Sequence, residues 1–112
     1  MKDNKIRIVI CMRGMPATLG EVENDLEAMQ ALVGGYIEVM PLSGGVVLVC
    51  NEEGKIDGSK PNRELKMADG TLLDTIRGTF FLCRTEGEEF AGLGHEEAVA
   101  LAKRFRYQVV TV

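Results

Sequence analysis

Between Asn51 and Arg63 the chain gathers two amides (Asn51, Asn62), two adjacent carboxylates (Glu52, Glu53) and the cations Lys55, Lys60 and Arg63. The segment leaves the apolar run Val46-Val47-Leu48-Val49-Cys50, so its side chains reach solvent from an anchored base. Arg63 carries a planar fork of donors suited to phosphate or carboxylate, and Lys60 adds a point charge. Asn51 and Asn62 each offer a donor and an acceptor, which suits a base or a ribose. Tyr36 either stacks on a base or half-buries as an ordinary sheet tyrosine. Tyr36, Asn51, Glu52, Lys60, Asn62 and Arg63 therefore form the candidate ligand-binding set, and its chemistry is recognition of a polar small molecule such as a nucleotide. The same residues also fit plain turns: Asn51 closing an Asx-turn, Glu52 to Lys55 a solvated hairpin tip, and Pro61-Asn62-Arg63 a second turn.

Catalysis lacks its parts. The sole histidine, His95, stands beside Glu96 and Glu97 at the start of a helical pattern, so a His-based triad, an HExxH site or a His/Cys metal cluster is missing members. Glu52 and Glu53 could hold a divalent ion only in a turn, because neighbours on a strand point to opposite faces. Neither GxGxxG nor GxxxxGK[ST] is present; Gly34-Gly35 and Gly44-Gly45 read as a helix cap and a turn. No catalytic residue, metal ligand or cofactor is expected. Cys11, Cys50 and Cys83 lie in separate apolar runs without a CxxC pair, as buried thiols of a reducing compartment would.

The elements that must position these residues follow from periodicity. Lys5 to Cys11 is β-branched and reads as a strand. Thr18-Leu19-Gly20-Glu21 fits a capping box, and Val22, Leu26, Met29 and Val33 form one stripe of a helix that ends at Gly34-Gly35. Tyr36 to Met40 and Val46 to Cys50 read as a hairpin whose second strand is central, and Gly54 is expected to supply a positive φ in the turn that follows. Ile56 to Asp74 reads as loop with short extended pieces, anchored by Ile56, Leu65, Met67, Leu72 and Leu73. Gly78 to Cys83 is a buried strand, Glu86 to Glu89 an acidic turn, His95 to Phe105 a helix, and Tyr107 to Val112 a possible edge strand. The order β-α-β-β-(β)-β-α-β predicts an α+β domain: a single layer of mixed or antiparallel sheet with two helices on one face.

At 112 residues the chain suits one domain, residues 1–112, since two halves would each be too short to bury a core. A net charge of -4 argues against direct nucleic-acid binding, which calls for a basic face. No apolar run spans a membrane, and Met1 to Lys5 leads into the first strand without a signal-peptide pattern, so a cytoplasmic protein is expected. So small a domain has little room for an enclosed pocket, which favours a homo-oligomer with sites near subunit boundaries.

The run Leu26 to Leu42, containing Gly34-Gly35-Tyr36-Ile37-Glu38-Val39-Met40-Pro41-Leu42, resembles the central motif of a family. Asn51-Glu52-Glu53-Gly54-Lys55, Pro61-Asn62-Arg63 and Gly78-Thr79-Phe80-Phe81 match it in order, and the likeness spans roughly residues 22 to 105. This is a domain-of-unknown-function family found widely in phages and conjugative elements of Gram-positive bacteria, and it brings no established activity. The resemblance implies a setting of conflict with host defence. There the expected function is non-enzymatic capture of a small phosphorylated ligand, such as a nucleotide-derived immune signal. The alternative is an inhibitor or adaptor that contacts a host defence or nucleic-acid-binding protein through the acidic residues at 21–27 and 86–89. Metal-dependent hydrolysis at Glu52 and Glu53 is a third, weaker reading.

Overall fold

Strand periodicity overrides the helix signal near the N-terminus. In the computed structural model, which describes residues 4–54 and 58–112, strand β1 (Lys5–Cys11) pairs antiparallel with β2 (Thr18–Glu23). Val22 is buried between exposed Glu21 and Glu23, a period of two that a helix would not give. The predicted capping box at Thr18 is therefore not used. Helix α1 (Leu26–Val33) starts later, capped by Asp25, whose Oδ1 accepts from the Ala28 N–H at 2.7 Å. Gly34 ends it at φ 85°, donating its N–H to the Gln30 carbonyl, as the glycine pair predicts.

The hairpin is present as β3 (Ile37–Pro41) and β4 (Val46–Asn51), turned by Gly44 and Gly45 with φ of 64° and 84°. The stretch expected to be mostly loop contains a second hairpin, β5 (Pro61–Lys66) and β6 (Leu72–Arg77). Lys55 and Ile56 lie outside the described residues. Strands β7 (Phe80–Glu86) and β8 (Glu89–Ala91), helix α2 (His95–Arg104) and strand β9 (Val109–Thr111) complete the chain.

The strands form two sheets rather than a single layer. One is six-stranded, ordered β2-β1-β7-β4-β3 with β8 on the remaining edge of β7, and wholly antiparallel. The other is β6-β5-β9, in which β5 and β9 run parallel. The helices cover opposite faces of the larger sheet, not one face. Met29 and Val33 of α1 pack with Ile8, Val47, Val49 and Phe81. On the other face Ala98, Leu101 and Phe105, at the end of α2, pack with Leu48, Phe80 and Leu82, joined by Leu65, Ile76 and Val110 of the smaller sheet. Both faces of β4 and of the first half of β7 are covered, which is why residues 46–50 and 80–83 are continuously apolar. The two helices and mostly antiparallel strands make this an α+β fold.

All three cysteines are buried. Burial pushes the Cys11 thiol up to about 12, against a smaller opposing pull from the Arg63 charge, and pushes Cys83 up to about 12 as well.

Candidate functional site

The Asn51–Arg63 segment is split by the fold into residues that face inward and residues that face solvent. Asn51 closes the β4 turn: its Oδ1 accepts from the Glu53 N–H at 2.8 Å, and its Nδ2 donates to the Val33 carbonyl at the end of α1 at 3.4 Å. The Asx-turn reading is thereby met. Gly54 lies outside the positive-φ glycines; a Cβ there would sit 3.3 Å from the Arg77 carbonyl, a tight contact, so close approach to β6 rather than backbone conformation favours glycine.

Asn62 and Arg63 are buried, at 3% and 2% exposure. Asn62 Nδ2 donates to the carbonyls of Cys11 (2.9 Å) and Gly78 (2.8 Å). Its Oδ1 accepts from Arg63 Nη1. Arg63 Nε donates to the Phe105 carbonyl at 2.9 Å and Nη2 to the Met15 carbonyl at 2.6 Å. The guanidinium thus ties the β1–β2 loop and the C-terminal end of α2 to β5. The negative end of the α2 dipole and the carbonyl oxygens meet its charge. The expected phosphate fork does not face solvent, because its donors are spent on main-chain carbonyls. In the same way the amide of Asn62 is spent inside the fold.

Glu52, Glu53 and Lys60 are exposed, and Tyr36 is 68% exposed rather than half-buried. The Glu52 N–H donates to the Tyr36 carbonyl at 2.8 Å, which couples the turn to the chain at the end of α1. An open groove of about 370 Å³ runs past Gln30, Gly34, Gly35, Tyr36, Asn51 and Glu53. A smaller cleft of about 120 Å³, between the end of β4 and β6, holds Glu38, Glu52, Asp74 and Arg77. The groove carries one carboxylate, Glu53, and the cleft sets three carboxylates against Arg77; α1 has no basic residue in its last turn to offset its negative end.

A second site is legible only in three dimensions. The acidic residues around α1 and the acidic turn before β8 meet across a groove of about 500 Å³, lined by Asp25, Leu26, Met29, Glu88, Glu89 and Phe90 among others. Asn24 Nδ2 fastens the two segments by donating to the Phe90 carbonyl at 3.0 Å, across 66 residues of sequence. Leu26, expected on the buried stripe, is instead 56% exposed at this groove. The sequence marks each segment as acidic, but their meeting depends on β8 pairing with β7, which no periodicity announces. Among the described residues no group of His, Cys, Asp and Glu is placed to hold a metal ion, and no helix is long and apolar enough to cross a membrane.

Fold and surface define a small α+β domain with open, acid-lined grooves and a fully hydrogen-bonded buried polar cluster. The chain matches the model of DUF3846, a domain of unknown function, over residues 6–106, and belongs to that family. No curated protein and no solved structure matches it.

Proposed function

We propose that this protein is a non-enzymatic interaction module, an adaptor or inhibitor that engages a basic protein partner through the acidic surface beside α1. One observation carries this reading: Asp25 on one side and Glu88 and Glu89 on the other flank a groove in which Leu26 is exposed. An apolar centre with a charged rim is how interfaces divide affinity from specificity. Acidic rims also steer and select basic partners. The matching partner segment carries an apolar side chain flanked by Lys or Arg. The resemblance to phage and conjugative-element proteins gives that partner a setting, a host defence or nucleic-acid-binding protein with a basic surface.

Capture of a small phosphorylated ligand, the other expectation, needs exposed cations that converge. Arg63 and Asn62 are turned inward, and Lys60 is the segment's exposed cation among its described residues. The test uses peptides with a central Leu or Phe between lysines, which carry no guanidinium, measured by fluorescence anisotropy. Binding is expected for the native protein and lost in E88K/E89K and in Leu26→Asp. Equal binding by these variants sinks the proposal.

A further inference from the structure

We infer that the groove at the C-terminal end of α1 is a receptor for a guanidinium group, with the ring of Tyr36 as its stacking face and Glu53 as its counter-ion. The groove lies toward the C-terminal end of α1, whereas the acidic groove lies toward its start. It stands on different residues, so its failure leaves the test of that groove untouched.

Three features favour a cation here, and each comes from a different part of the chain. Tyr36 presents its ring to solvent at 68% exposure, and the face of an aromatic ring attracts a cation within reach. Glu53 is exposed on the same groove, its backbone fixed by the Asn51 Oδ1 contact at 2.8 Å. Helix α1 ends here with no basic residue in its last turn; the neutral N–H groups of Gly34, Gly35 and Asn51 cap its carbonyls and bring no positive charge to the negative end of its dipole. None of the described lining residues is basic.

The local chain also keeps the groove open and in register. A Cβ on Gly35 would lie 2.9 Å from Asn51 Nδ2, so glycine is what lets Asn51 approach the end of the helix. Asn51 reaches the Val33 carbonyl on one side and the Glu53 N–H on the other, and the Glu52 N–H holds the Tyr36 carbonyl. Tyr36 and Glu53 therefore stand on backbone tied together by three hydrogen bonds. A planar guanidinium stacks on the ring and still offers paired donors to a carboxylate, whereas an ammonium does only the latter well. The source is either an arginine side chain of a partner or a free small guanidine.

Heteronuclear NMR titrations with N-acetyl-arginine amide, its neutral isostere N-acetyl-citrulline amide, and agmatine test this inference. Saturable shifts of the Tyr36 ring and the Glu53 amide are expected with the arginine compound and agmatine, but not with citrulline. Exposed Tyr107 serves as the internal control and stays still. Tighter binding of arginine in a short peptide points to a partner side chain, and tighter binding of agmatine to a free guanidine. Tyr36→Ala should weaken binding about two- to five-fold, Tyr36→Phe should restore it, and Glu53→Gln should weaken it several-fold. Absence of shifts at Tyr36, equal shifts with citrulline, or unchanged binding in both Y36A and E53Q overturns the inference.

Discussion

Arg63 and Asn62 spend their side-chain donors inside the fold, on the carbonyls of Phe105, Met15, Cys11 and Gly78. Composition shows an arginine and an asparagine beside a proline, a set as suited to a ligand as to a turn. Direction is what composition lacks. Adjacent strand residues normally point to opposite faces, yet both of these are buried, because the β5–β6 register shifts between Pro61 and Arg63 and turns both inward. Arg63→Leu or Arg63→Lys should therefore destabilise the protein by about 3 kcal/mol or more in urea unfolding. The carbonyls of Met15 and Phe105 and Oδ1 of Asn62 lose their partner, at about 1–3 kcal/mol for each group left unsatisfied. A change within the error of the measurement would mean that the guanidinium is not a tie. The cysteines, by contrast, were readable from their apolar neighbours, and all three are buried. Cys11 and Cys83, with thiols raised from 9.0 to about 12, should resist iodoacetamide at pH 8 until the chain unfolds. A thiol raised on folding binds its proton more tightly in the native state. Its contribution is thus complete below pH 9 and is lost as pH climbs toward 12. Stability should fall across that window by up to about 1.4 kcal/mol per pH unit per thiol, which unfolding midpoints at pH 8, 9 and 10 would reveal.

At the scale of elements, the well-patterned pieces were legible and the short ones were not. The β3–β4 hairpin, the buried β7 strand and α2 follow from apolar runs, glycine turns and helical spacing. The Thr18 capping box failed because a cap matters only when the residues after it prefer a helix, and Leu19 to Glu23 alternate instead. Asp25 is the working cap. Asp25→Ala should destabilise by about 1 kcal/mol, while Thr18→Ala should stay within about 0.5 kcal/mol; thermal melts of the pair decide between the two caps. The β5–β6 hairpin was missed because Pro61, Asn62, Asp69 and Gly70 are turn residues. Only Leu65 and Ile76 are deeply buried apolar anchors within its strands. Here tertiary packing against Leu48 and Phe105, rather than local pattern, holds the strands in place.

For the whole molecule, the α+β class was legible and the layering was not. A sheet covered on both faces has continuously apolar central strands, and β4 and β7 carried that signal, but which helix covers which face is a matter of topology. The same topology decides the electrostatics. It turns the segment's arginine and second asparagine inward, leaves Glu52 and Glu53 outside, and brings Glu88 and Glu89 to the start of α1. Three of the chain's acidic residues, Asp25, Glu88 and Glu89, thereby share one groove beside α1. On the function proposed, this surface selects basic partners and not anionic ligands. Calorimetry of the native protein and of E88K/E89K against a Lys-flanked Leu peptide and against a panel of nucleotides and cyclic dinucleotides tests this selection. Peptide binding should weaken with salt and vanish in the variant, with no heat from the nucleotides. Stoichiometric nucleotide binding with silence from the peptide would contradict it.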